Sequence, residues 1–291
     1  MKTSSSTKLV GIFGDPVSHS LSPAMQNAAF EHMGIDAVYL AFHVPARPAA
    51  ALKAAVSSIK ALGFMGVNIT VPHKEKVIEF LDHVDGEAGD IGAVNTIVNK
   101  AGKLTGYNAD ARGYIESLWQ EAGFSPQGKN VIVIGAGGAS RAIAFAVLKA
   151  GAKRLVIANR TLRRAQTLSR DLKKKFPKPE ITAVPLDKNF LRPIAGDSQL
   201  IVNASSLGMA GKDELDFPLY ALPADAVVSD IVYRPFDTGF IKKALIRGLV
   251  VHRGLGMLVH QGALAFELWT GKKAPLDVMR MAALKALKSH A

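Results

Sequence analysis

Short apolar runs alternate with stretches of helical periodicity along the whole chain, a pattern that predicts an α/β fold with largely parallel sheets. Residues 8–14 (KLVGIFG), 37–44 (AVYLAFHV) and 64–71 (FMGVNITV) read as strands. Ser22-Pro23 opens a helix, because serine can cap free amides and proline suits a first turn that needs no N–H. An alanine-rich helix is expected over 48–62, a hairpin from 94–99 and 103–107, and a helix from about Asp110 to Gly123. Ser125-Pro126-Gln127-Gly128 then punctuates the chain and the alternation restarts. Strands are expected at 130–134, 154–158, 181–186, 200–204 and 227–232. Helices are expected at 139–150, 161–175, 238–247, 257–270 and 276–288.

The restart near residues 109–125 divides the chain in two, and 291 residues suffice for two modest cores. A hydrophobic content of 48%, a charged content of 21% and a mean hydropathy of +0.16 fit folded domains, not disorder. No uncharged apolar stretch approaches the roughly 18 residues of a membrane span. Residues 1–7 (MKTSSST) lack the apolar core of a signal peptide and read as a frayed polar tail. The absence of cysteine excludes disulfide scaffolds, thiolate zinc sites and cysteine nucleophiles. A cytoplasmic protein is expected.

The net charge of +12 is unevenly placed. Residues 160–176 (RTLRRAQTLSRDLKKKF) carry seven basic groups against one acid, and 272–291 carry five against one. The first cluster has Phe176 as its sole aromatic residue, so it offers no stacking platform for nucleic-acid bases. A site for a phosphorylated small molecule is the narrower reading, with a solvated helix face as the plain one.

The segment VIVIGAGGASRA places Gly135-Ala136-Gly137-Gly138 between a strand and a helix. There, glycines permit a tight turn and let a pyrophosphate approach the helix amides. The third glycine position of a dinucleotide fingerprint falls on Ser140. The next strand ends in Asn159-Arg160-Thr161, followed by Arg163 and Arg164. An NAD site usually has an acidic residue there, to bind the ribose hydroxyls. Guanidinium groups instead offer paired donors to a 2′-phosphate, and Thr161 can cap the helix that follows. These residue types favour NADP.

The N-terminal half carries a second constellation. His19-Ser20-Leu21-Ser22-Pro23 sets two hydroxyls at a helix start, and Asn68 and Thr70 interrupt an apolar strand at period two. Lys74 follows that strand, Asn95 lies at a strand start, and Asn108 and Asp110 bracket a strand-to-helix junction. Each alone suits a cap or a turn. Together they describe a site rich in hydrogen-bond donors, with one cation and one carboxylate, fitted to a small polyhydroxylated acid.

On these segments the chain resembles the shikimate dehydrogenases. The matching motifs are GDPVSHSLSP, GVNITVPHKE, GAVNTIV, GYNAD, VIGAGGASRAI, ANRT, NASSLGM, DIVYRP and GLGMLVHQGALAFELWTG, in order from Gly14 to Trp269. The resemblance implies an N-terminal α/β substrate domain with a mostly parallel sheet and a doubly wound Rossmann domain for NADP. The C-terminal helices would return to the first domain, giving 1–109 with 255–291, and 110–254. It implies that Ser20, Ser22, Asn68, Thr70, Asn95, Asp110, Tyr233 and Gln261 hold the substrate, and that Lys74 and Asp110 form the catalytic pair. It also implies that Gly135, Ala136, Gly137, Gly138, Ala139, Asn159, Arg160, Thr161, Arg164, Ile231 and Gly254 line the NADP site.

Two positions depart from the family: Asn108-Ala109-Asp110 stands where Asn-Thr-Asp is usual, and Tyr107 replaces a small or polar residue. They bear on preference among shikimate, quinate and amino-substituted analogues, with relaxed cofactor use as a further variant. The chemistry agrees with the resemblance. Reducing a ring ketone requires a hydride donor and a proton source at the oxygen. Lys74 can supply that proton, and Asp110 can orient Lys74 and bind a neighbouring hydroxyl. The eight histidines show no metal-binding spacing, Ser205-Ser206-Leu207-Gly208 is no nucleophile elbow, and His19 and His73 suit structural roles as well as catalytic ones. A regulatory relative that only senses the cofactor would have no need of both Lys74 and Asp110. The expected partner is a small-molecule substrate, with no nucleic acid and no membrane, and the expected state is a monomer or homodimer.

Overall fold

The computed structural model describes residues 3–209 and 213–289. The chain forms two compact units, Met1–Gly113 with Val259–Ala291, and Tyr114–Leu258. The edges read from the sequence fall at the first residues of two helices, α4 (Asp110–Ala122) and α9 (Gly254–Thr270), and each helix runs on through the division. Of the tail expected at residues 1–7, Met1 and Lys2 lie outside the described residues. The remainder is tied down, not frayed: the hydroxyls of Ser6 and Thr7 donate to the Asp36 carboxylate at 3.1 and 2.7 Å.

The first unit holds a six-stranded sheet in the order β2-β1-β3-β5-β6-β4. Its strands are β1 (Lys8–Gly14), β2 (Ala37–His43), β3 (Gly66–Ile69), β4 (His83–Val84), β5 (Thr96–Lys100) and β6 (Lys103–Tyr107). β1 pairs in parallel with β2 and β3, and β4 with β6, while β5 runs antiparallel to β3 and β6. Phe13, Phe42 and Phe64 meet edge to face, and with Leu52, Val56 and Ile59 of α2 (Ala49–Ala61) they fill one face of the sheet. α1 (Ser22–His32) packs on α10 (Leu276–Ser289). At Gly66 a Cβ would run into Trp269 and the Ile97 carbonyl, so the missing side chain lets the indole N–H donate to that carbonyl at 3.0 Å.

The second unit is a wholly parallel sheet, β12-β11-β10-β7-β8-β9. Its strands are β7 (Asn130–Ile134), β8 (Arg154–Asn159), β9 (Glu180–Pro185), β10 (Leu200–Asn203), β11 (Val227–Asp230) and β12 (Val250–Arg253). Runs such as Val131-Ile132-Val133-Ile134 are buried without alternation, because helices cover both faces of a parallel sheet. Strand order reverses between β7 and β10, the switch point where doubly wound sheets bind ligands. No helix among the described residues is long and apolar enough to cross a membrane.

Candidate active site

In the first unit, Lys74 and Asp110 meet. Lys74 Nζ donates to Asp110 Oδ2 at 2.6 Å, with the two side chains only 12% and 4% exposed. Lys74 follows the β3 exit turn, where its carbonyl accepts from Val94 N at 2.8 Å and the neighbouring His73 ring bonds the Val44 carbonyl at 2.8 Å. That partner makes buried His73 structural, and His19 is exposed. Asp110 opens α4, held by the Asn108 Oδ1, which accepts from the amides of Asp110 and Ala111 at 3.0 and 3.2 Å.

Asn95 completes the pair. Its Nδ2 donates to Asp110 Oδ1 at 2.9 Å and to Gln261 Oε1 at 3.2 Å, while its Oδ1 accepts from Ala109 N at 2.8 Å. Flipping this amide would set oxygen against the carboxylate and leave the buried Ala109 N–H unpaired, so its direction is fixed. Asn68, expected to face the substrate, has both Nδ2 donors occupied by the Asn95 carbonyl and Thr96 Oγ1, each at 3.1 Å.

Ser22 suits the cap of α1 by sequence, yet Leu21 takes the cap position and no side chain caps the helix. Ser20 Oγ accepts from Ser22 N at 3.2 Å, and buried Ser22 therefore has no capping role to explain it. Thr70 packs where Gly14 lacks a side chain. Gln261 sits on α9 close against α4, because a Cβ at Gly113 would stand 2.6 Å from Gln261 N. Gly113→Ala is expected to destabilise the protein by about 1–3 kcal/mol through overpacking and to raise KM for substrate as Gln261 is displaced. Thermal melts and steady-state kinetics check this, and unchanged values for both would contradict it.

The second unit supplies the other constellation. Gly135 adopts φ +116° at the end of β7, a conformation strained for other residues, and a Cβ there would strike Ser140 and Ala204. Ser140 occupies the third glycine position of the fingerprint without obstruction, since its buried hydroxyl donates to the Ala204 carbonyl at 2.9 Å. Gly137 begins α5 (Gly138–Lys149) with no side-chain cap, and a Cβ on it would point into open space. Uncapped amides beside open space fit a pyrophosphate. Asn159 Nδ2 donates to the Thr161 carbonyl at 2.9 Å. Thr161 takes the cap position of α6 (Leu162–Lys175), but its hydroxyl forms no cap bond. Arg160, Arg163 and Arg164 are exposed there, while the cluster's one acid, Asp171, pairs with Arg141 at 3.1 Å. These residues fit a dinucleotide carrying a 2′-phosphate. Ile231 and Gly254 come together, since a Cβ at Gly254 would overlap the Ile231 and Val232 backbone. Tyr233 lies in the same unit, in the segment after β11.

A buried network joins the ends of β10 and β11, linking Asn203 of NASSLGM to Asp230 of DIVYRP. Asp230 accepts from Asn203 Nδ2 at 3.0 Å, Val232 N at 3.0 Å and Thr238 Oγ1 at 2.7 Å. Burial pushes its carboxyl up to about 6, against the opposing pull of those donors. A raised folded-state value means that the group stabilises the fold fully below the unfolded value of about 3.8, and that this is lost as pH rises through about 6. Asp230→Asn cannot titrate. Wild type should therefore lose stability relative to it, by up to about 3 kcal/mol, between these pH values. Denaturant melts across that range check this, and a constant difference would contradict it.

A doubly wound dinucleotide unit, in one chain with an α/β unit built around a lysine–carboxylate pair, defines a nicotinamide-dinucleotide oxidoreductase. Comparison with known proteins makes this specific. Residues 12–97 match the shikimate dehydrogenase substrate binding domain, 118–204 the shikimate / quinate 5-dehydrogenase family, and 254–284 the shikimate 5′-dehydrogenase C-terminal domain. The shikimate dehydrogenase (NADP(+)) of Symbiobacterium thermophilum is 47% identical over 97% of this chain and 96% of its own. That of Methanopyrus kandleri is 44% identical over 97% of each. The crystal structure of shikimate 5-dehydrogenase from Thermus thermophilus, in complex with NADP(H) and shikimate, superposes with a TM-score of 0.84. It is 38% identical and covers 96% of this chain and all of that one. The chain belongs to the shikimate dehydrogenase family.

Proposed function

We propose that this chain is an NADP-dependent shikimate dehydrogenase, interconverting 3-dehydroshikimate and shikimate on the route to aromatic amino acids. The observation that carries the mechanism is the buried contact of 2.6 Å between Lys74 and Asp110. NADP, when bound, exchanges a hydride with the ring carbon that bears the reacting oxygen. In reduction, the Lys74 ammonium stabilises negative charge developing on that oxygen and gives it a proton; in oxidation, the neutral amine takes the proton back. Asp110 holds Lys74 in register and accepts from a neighbouring ring hydroxyl. Ser20, Ser22, Thr70, Asn95 and Gln261 hold the remaining oxygens, and Tyr233 is assigned to the substrate with them. In the second unit the amides of Gly135 to Ala139 receive the pyrophosphate, Asn159, Arg160, Thr161 and Arg164 the 2′-phosphorylated ribose, and Ile231 and Gly254 line the rest.

The same reading makes 1–109 with 255–291 the substrate domain and 110–254 the cofactor domain. It places the protein in the cytoplasm as a monomer or homodimer, without nucleic-acid or membrane partners. Steady-state assays of shikimate and quinate, each with NADP and NAD, test the function. The highest kcat/KM is expected for shikimate with NADP, and a preference for quinate or NAD would overturn that assignment.

A further inference from the structure

The polar side chains behind Asp110 form one directed chain. The Tyr39 hydroxyl donates to Asn68 Oδ1 at 2.8 Å, and Asn68 Nδ2 donates to Thr96 Oγ1 at 3.1 Å. Thr96 Oγ1 donates to Asn95 Oδ1 at 2.9 Å, and Asn95 Nδ2 donates to Asp110 Oδ1 at 2.9 Å. Four successive bonds thus point from a phenol to the carboxylate. Tyr39 and Thr96 are fully buried, and Asn68, Asn95 and Asp110 are at most 4% exposed. Asn68 and Thr96 face each other across the antiparallel β3–β5 pair, so sheet register itself brings them together. The first donor is also fixed. The Tyr39 backbone exchanges two hydrogen bonds with the Asn27 side chain, and its ring packs 6.0 Å from that of Trp269.

We infer that Tyr39 and Thr96 are positioning residues for Asp110, acting through the side-chain amides of Asn68 and Asn95. Each bond in a directed chain polarises the next, so the N–H that reaches Asp110 is a stronger donor than an isolated amide. The Thr96 hydroxyl also gives Asn95 Oδ1 its second donor, beside Ala109 N. Removing that hydroxyl frees the Asn95 side chain to tilt away from Asp110. The carboxylate that aligns Lys74 then loses part of its support. In this arrangement Asn68 serves as a link in the chain, not as a substrate ligand.

This rests on the roles proposed for Lys74 and Asp110, and the experiment separates the two. Thr96→Val keeps the shape and removes the hydroxyl; Thr96→Ser keeps the hydroxyl. Thr96→Val is expected to lower kcat for shikimate oxidation about tenfold with KM for NADP unchanged. Thr96→Ser should restore kcat to within about twofold of wild type, and Tyr39→Phe, one amide further back, should cost about threefold. If Thr96→Val melts earlier but keeps wild-type kcat, or if Thr96→Ser fails to rescue a folded protein, the inference is overturned. Lys74→Ala run in the same assay reports on the underlying mechanism. Should it too keep normal turnover, the mechanism fails; should it alone lose turnover, only the positioning inference does.

Discussion

Lys74→Ala is expected to lower shikimate turnover by about 10²–10⁴-fold, the range of a positioned acid–base group. KM for shikimate should move far less, because hydroxyls and amides from Ser20, Ser22, Asn95 and Gln261 would still grip the ring. Its position makes this lysine more than a solvated charge. Its side chain is 12% exposed, its carbonyl is pinned by Val94 N, and its ammonium lies against a buried carboxylate. An ordinary lysine after a strand would give turnover within about twofold of wild type, since exposed charges contribute little. Removing one partner of a buried pair also costs stability, so the kinetic comparison must be made on folded protein, verified by its melting transition. A folded Lys74→Ala protein with near-normal turnover would contradict the mechanism.

The second large effect concerns the cofactor. Arg160→Ala with Arg164→Ala is expected to raise KM for NADP at least tenfold, since two charge-assisted contacts of about 1.5–3 kcal/mol each would be lost. NAD has no 2′-phosphate, so its kinetics should stay almost unchanged. Both arginines are exposed at the start of α6, the helix whose cap hydroxyl makes no cap bond, and the segment Asn159-Arg160-Thr161 that ends β8 contains no acid. Steady-state kinetics with both cofactors check this. Equal losses for NADP and NAD would mean that the arginines support the helix or the pyrophosphate and do not read the 2′-phosphate.

The fold was legible where burial imposes a simple pattern. Strands β7, β8 and β10 of the second sheet are buried apolar runs without alternation, and helical periodicity separates them, so both could be read from the sequence. The missed elements lack that signature. α3 (Gly86–Ile91) has six residues with two glycines, α7 (Lys188–Ala195) carries Pro193 inside it, and β4 is two residues long. β12 reads VVHR at the sheet edge, where only His252 is buried, so it carries no buried apolar run.

The chemistry was legible where a residue type is out of place, as with a lysine and a carboxylate at strand and helix ends, or arginines where an acid is usual. Tyr39 and Thr96 carry no such signal, because both are ordinary strand formers and only register turns their hydroxyls toward the amides. Gly113 could have been flagged as a glycine inside a helix, but the residue it accommodates, Gln261, lies far along the chain. Ser22 and Thr161 show the opposite failure. Capping preferences explained each of them locally, whereas their hydroxyls make no cap bond.

The central claim is that Lys74 and Asp110 work as one unit, and a double-mutant cycle measures this directly. Lys74→Ala, Asp110→Asn and the double variant are compared by kcat for shikimate oxidation with NADP. If Asp110 acts by holding Lys74, the double variant should be little worse than Lys74→Ala alone. If the two losses multiply in full, the residues act independently and the paired mechanism is wrong.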